Sequence, residues 1–138
     1  MSFRQKIALV SVVALLLMYG WYFAEFWHAR AAGEASIAAT LGLAVPTVLG
    51  VALLQIVGTV LVAVFSTERQ APMDERERLL SARSQQGAYW VLLTGALGAA
   101  ASGFLRLSAM DVANVALLAV VLAEIVRYGG YVLLHRAA

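Results

Sequence analysis

The 138-residue sequence contains no cysteine, which excludes disulfide scaffolds, thiolate metal sites, haem attachment through thiols and thiol nucleophiles together. Charge is also scarce. Asp, Glu, Lys and Arg make up 13% of the chain, about half the share found in soluble domains. The charges nearly cancel to +2, which leaves no electrostatic footprint for direct nucleic-acid binding. Phosphate-cradling glycine loops, HExxH and GxSxG are all missing, and Gly129-Gly130 lacks the flanking pattern. The one close group of acids, Asp74, Glu75 and Glu77, reads as solvated. The chain is therefore expected to be non-enzymatic, without cofactor or metal.

What is present is apolar. Hydrophobic residues are 62% of the sequence and mean hydropathy is +0.83. A short chain in water must cover itself with polar surface, so lipid is the expected solvent. Four nearly uncharged runs are long enough to cross about 30 Å of hydrocarbon: 7–26, 37–65, 88–105 and 112–134. They are continuous rather than alternating, which favours helices over a barrel. The expected fold is all-α, a single integral membrane four-helix bundle.

Basic residues orient it. Arg4, Lys6, Arg69, Arg76, Arg78, Arg83 and Arg136 fall on one side and Arg30 and Arg106 on the other, seven against two. By the positive-inside rule both termini and the 66–87 segment are cytoplasmic. The first span superficially fits a secretory signal, but it is long and ends in Tyr19, Trp21, Tyr22, Phe23, Phe26 and Trp27. That cluster reads as an interfacial belt on a retained helix.

Hydrophobicity does not hold helices together in lipid, so small residues mark candidate contacts. Gly42, Gly50 and Gly58 on the second span and Gly95, Ala99 and Gly103 on the third predict that these two spans pack against each other. Pro46 predicts a kink or tilt in the second, whose 29 residues reach about 43 Å. Val51–Leu54 and Val115–Leu118 share the sequence Val-Ala-Leu-Leu, slight support for a duplicated hairpin.

The longest polar piece lies at 66–87. Asp74 with Glu77 fits a capping box, and Asp74–Arg78 and Glu75–Arg78 have ion-pair spacing. A short cytoplasmic helix from about Glu75 is expected to continue into the third span, with Tyr89 and Trp90 anchoring it. Its exposed charges, Asp74, Glu75, Arg76, Glu77, Arg78 and Arg83, are candidates for binding a partner.

The run Met73-Asp74-Glu75-Arg76-Glu77-Arg78-Leu79-Leu80, then Arg83 and Ala88-Tyr89-Trp90-Val91-Leu92, resembles the signature of an uncharacterised family of small four-helix bacterial integral-membrane proteins. In that family an Asp-Glu-Arg stretch precedes the third helix. Ala123-Glu124-Ile125-Val126-Arg127-Tyr128-Gly129 is similar to the family's ending, although Leu133-Leu134-His135-Arg136 replaces a more tyrosine-rich tail. The resemblance implies four membrane helices in a bacterial inner membrane and no established chemistry. Genes of small helix-turn-helix regulators often lie nearby, which implies a cytosolic regulatory partner.

Glu124 and Arg127 stand inside the fourth span. Ionisable groups there are costly and mark packing or function. Three residues apart, they can pair, and Gln55 and Thr59 on the second span are candidate hydrogen-bond donors to Glu124. Counting from Val112 places Glu124 about 18 Å along the helix, just cytoplasmic of the midplane. At the other end Glu25, His28, Arg30 and Glu34 cluster beside Trp21 and Trp27. Glu25 and His28, three apart, suggest a metal site or a pH-sensitive pair, but two ligands do not make a site, and interfacial anchoring is the expected role.

Two functions follow as expectations. The first is an accessory or regulatory membrane protein whose cytoplasmic segment binds a cytosolic or membrane partner. The alternative is a small transporter or channel using Glu124, compatible with a homo-oligomer. Short four-helix multidrug exporters match in size, but they carry their glutamate in the first helix, where this chain has only Glu25 near the outer end.

Overall fold

The computed structural model describes residues 2–66, 72 and 74–137. The parts of the polar segment at 67–71 and 73, including Arg69, Ala71 and Met73, lie outside the described residues. Four long helices account for nearly all of the described chain: α1 (Phe3–Ala31), α2 (Ile37–Phe65), α3 (Glu75–Phe104) and α4 (Ala109–Ala137), with no strand among the described residues.

Local chemistry sets where each helix begins. Ser2 and Gln5 form a reciprocal capping box: the Gln5 N–H donates to the Ser2 hydroxyl at 3.4 Å and the Ser2 N–H to Gln5 Oε1 at 2.8 Å. Ser36 caps α2 by accepting from the Ala39 N–H. Asp74 caps α3, but its carboxylate accepts from the Glu75 N–H at 2.7 Å rather than from Glu77, the bond expected of a capping box. Before α4, the Ser108 hydroxyl accepts from the Asp111 N–H and donates to the Asp111 carboxylate at 2.7 Å. The second span coincides with its expected bounds, α3 begins at Glu75 as expected and ends at Phe104, and α1 and α4 overrun their expected spans at both ends. Hydropathy marks only the apolar stretch, whereas the backbone ladder continues through polar residues until a cap stops it.

The chain divides into two units, at Met1–Arg69 and Gln70–Ala138. In the first, α1 and α2 form an antiparallel hairpin. Lys6 Nζ donates to Ser66 Oγ at 3.0 Å, a side chain on Gly58 would meet Val10, and one on Gly50 would meet Met18. As positions rise on α1, their partners on α2 fall. The connecting turn closes with Gly33 at φ +74° and the Glu34 N–H donating to the Ala29 carbonyl, a left-handed position that glycine takes without steric cost. Tyr22 and Phe26, one helical turn apart, are 1% and 2% exposed, with parallel rings 6.4 Å between centroids. They belong to the packed face. Only part of the expected aromatic belt therefore faces outwards, notably Trp21 and Trp27. Helix α2 runs through Pro46 without interruption. Next to it, the fully buried Thr47 donates its hydroxyl to the Leu43 carbonyl at 2.7 Å.

The second unit is the antiparallel pair α3–α4. Ala119 fills the space beside Gly95, Val126 lies against Gly87, and Ser84 against Gly130. Ser84, Ala88, Ala99 and Ser102 of α3 are buried, as are Ala119, Ala123 and Val132 of α4. Small residues let the backbones approach closely. The two serine hydroxyls are satisfied within α3, donating to the Ser81 and Ala99 carbonyls. The link between these helices carries Arg106 at φ +58°, a conformation costly for a residue with a Cβ.

The glycines expected to join spans two and three have their described neighbours within their own units. Gly50 and Gly58 approach α1, and Gly95 approaches α4, while a Cβ on Gly42 or Gly103 would meet nothing within 4 Å. Spacing along one helix identifies a small-residue face but carries no information about which helix will occupy it.

The distribution of apolar side chains is inverted relative to a water-soluble protein. Leu49, Leu53, Ile56, Val60 and Val64 of α2 are all more than half exposed, and the apolar window of that helix has no buried residue. Small and polar side chains line the contacts instead. With four helices each long and apolar enough to span a bilayer, the chain is a multi-pass membrane protein.

Candidate functional site

The charged start of α3 continues into the third span, as expected. It is the first three turns of a 30-residue helix that runs unbroken from Glu75 to Phe104. Asp74, Glu75, Arg76, Arg78 and Arg83 are exposed, with both signs presented side by side. Among the described residues neither Asp74 nor Glu75 pairs with Arg78, so the expected ion pairs do not form. Exposed i,i+4 pairs contribute only a few tenths of a kcal/mol, too little to hold two long side chains in place.

Glu77 behaves differently. It is half-buried, and its Oε1 lies 3.8 Å from His135 Nε2 at the far end of α4. His135 stacks on the Tyr131 ring with centroids 5.7 Å apart, and its Nδ1 is buried without a hydrogen-bond partner among the described residues. Leu80 and Ser84 continue the contact, the latter against Gly130. Of the six partner-binding candidates, Glu77 thus belongs to the α3–α4 seam, and the other five form the exposed surface.

The intramembrane pair is formed. Arg127 donates to Glu124, with 3.4 Å between Nη1 and Oε2, and its guanidinium also lies 5.2 Å from the Tyr128 ring centroid. The side chains are 43% and 38% exposed for Arg127 and Glu124. Because Ala119 meets Gly95 and Val126 meets Gly87, Glu124 stands level with Tyr89 and Trp90 on α3. Those exposed aromatics are the type that settles at the headgroup boundary. Gln55, half-buried, and Thr59, exposed, stand on α2 in the other unit, and Glu124 takes its partner from its own helix.

Around the turn between α1 and α2, Glu25, His28, Arg30 and Glu34 are all exposed. Among the described residues no three acidic or histidine side chains converge to hold a metal ion. Two polar features stand apart from the residues that the sequence pattern marks. Asp111 and Asn114, both buried, start α4, with Asn114 donating to the Met110 carbonyl; the Ser108-x-x-Asp111 spacing is itself a capping signature. The Lys6–Ser66 bond joins residues 60 positions apart, and no local signal announces it.

Comparisons with protein-family models, curated proteins and solved structures give no match to this chain.

Proposed function

We propose that this chain is a non-enzymatic accessory or regulatory protein of the bacterial inner membrane, with both termini cytoplasmic, that engages a partner protein through the exposed start of α3. The observation that carries this reading is the placement of Asp74, Glu75, Arg76, Arg78 and Arg83 on the exposed turns of a helix continuous with the membrane span. Such a ridge displays both signs of charge on a rigid support, and electrostatic complementarity of this kind favours specific docking. The resemblance of residues 73–92 to small four-helix bacterial membrane proteins, and the regulators that accompany them, supports a cytosolic regulatory protein as the partner class.

Affinity purification in mild detergent, followed by mass spectrometry, tests the reading. Replacing Asp74, Glu75, Arg76 and Arg78 together by alanine is expected to release a partner that the wild type retains. Retention of every partner by that variant refutes the proposal.

The transporter alternative rests on the part-exposed Glu124 carboxylate. Its pairing with Arg127 weighs against it, because a carboxylate already held by a neighbouring guanidinium has less capacity to bind a passing ion. Flux into proteoliposomes that disappears on Glu124→Gln would favour transport, and unchanged flux would exclude a role for this residue.

A further inference from the structure

Between α1 and α2 runs an apolar groove of about 310 Å³, lined by Leu9, Val13 and Leu17 from one side and Leu54, Val57 and Leu61 from the other. Lys6 lies on the same face of α1, one turn before Leu9 and Val10, so its ammonium stands at the end of the groove. There it reaches across to Ser66 at 3.0 Å. The hydroxyl is neutral, and among the described residues no carboxylate pairs with Lys6. A half-buried ammonium has three donors; the bond to Ser66 uses one, and no carboxylate among the described residues offsets its charge. The first turn of α1 contains no acidic residue. We propose that this groove is a binding site for an anionic phospholipid, one acyl chain lying along the Leu and Val walls and the headgroup phosphate on Lys6.

The chemistry of the two parts selects this occupant. The groove offers an acyl chain contact with two helices at once and no polar group to satisfy. Lys6 sits where the apolar stretch begins, so the two halves of the ligand are joined by the same geometry that joins Lys6 to the groove. A zwitterionic lipid satisfies the walls but contributes no net charge to offset the ammonium.

Native mass spectrometry of the full chain in detergent, loaded from mixed phosphatidylglycerol and phosphatidylcholine, reads the preference. The wild type is expected to retain phosphatidylglycerol roughly five-fold better, the effect of one interfacial lysine. Lys6→Gln is expected to abolish the preference and Lys6→Arg to keep it, while Val57→Trp, which fills the groove, lowers retention of both lipids. Excess glycerol phosphate is not expected to displace the lipid, because it has no chain. Equal retention of the two lipids by the wild type overturns the proposal, as does a preference that survives Lys6→Gln or displacement by glycerol phosphate. Should Lys6→Gln fail to fold, Val57→Trp decides alone: undiminished phosphatidylglycerol retention excludes the groove.

Discussion

Glu77 Oε1 and His135 Nε2 lie 3.8 Å apart, joining the first turn of α3 to the last turn of α4. The side chains are 20% and 17% exposed, so the contact is partly shielded. It holds the charged ridge in register with the end of α4. Glu77→Gln is expected to weaken this junction by up to about 1 kcal/mol, read as faster amide hydrogen exchange over 75–82 with no change at 95–103. Unchanged exchange over 75–82 would show that the pair contributes nothing to holding the helix start.

The absence of cysteine makes orientation simple to measure. In intact cells Arg76→Cys is expected to resist a membrane-impermeant maleimide, and Glu34→Cys to react. Labelling in the opposite sense would reverse the assigned topology and remove the cytosolic partner reading with it.

Gly95 is expected to be the least replaceable glycine. A Cβ there would overlap the Ala119 side chain and lie 3.1 Å from its Cα, so the backbones must separate. Gly95→Val is expected to cost about 1–3 kcal/mol, whereas Gly98→Ala, which meets open space, is expected to be nearly neutral. Thermal unfolding in detergent compares them, and equal stability of the two variants would contradict the close α3–α4 approach.

Arg106 at φ +58° is expected to respond in the other direction. Arg106→Gly relieves a left-handed conformation that costs about 1–2 kcal/mol for a residue with a Cβ, partly offset by the greater unfolded-state freedom of glycine. A net gain of roughly 0.5–1 kcal/mol is expected in the same unfolding assay. A loss on Arg106→Gly would mean that the arginine side chain contributes more than its backbone costs.

Phe26 and Trp27 are neighbours with opposite roles. Phe26 is 2% exposed and Trp27 62%. In lipid the transfer gain of burying an aromatic is small, so Phe26→Ala is charged mainly with the cavity it leaves, about 1–2 kcal/mol. Trp27→Ala is expected to stay within about 0.5 kcal/mol of wild type. Equal losses in unfolding would place both rings in the same environment.

The ring cluster at Tyr19–Trp27 shows why one part of the site description was legible and another was not. Composition identified it as aromatic and near a membrane boundary, but its division into the buried pair Tyr22 and Phe26 and the exposed Trp21 and Trp27 needed the partner helix. The Glu124–Arg127 pair could be read from a spacing of three, because both residues share one helix. Its level beside Tyr89 and Trp90 depended on the register of α4 against α3. The pairing of Glu77 with His135, and of Lys6 with Ser66, spans 58 and 60 positions, far beyond any helical period.

The amino-acid order alone determined that lipid surrounds most of the chain, that it forms four helices, and that its soluble charge collects before the third. Those properties are local: they arise from hydropathy over about 20 residues and from capping groups a few residues away. Only the tertiary structure decided which glycine meets which helix, which aromatic turns inward and which cation closes the apolar groove. In lipid both sides of a helix are apolar, so hydrophobicity does not mark the packed face. Close approach of small residues selects it instead.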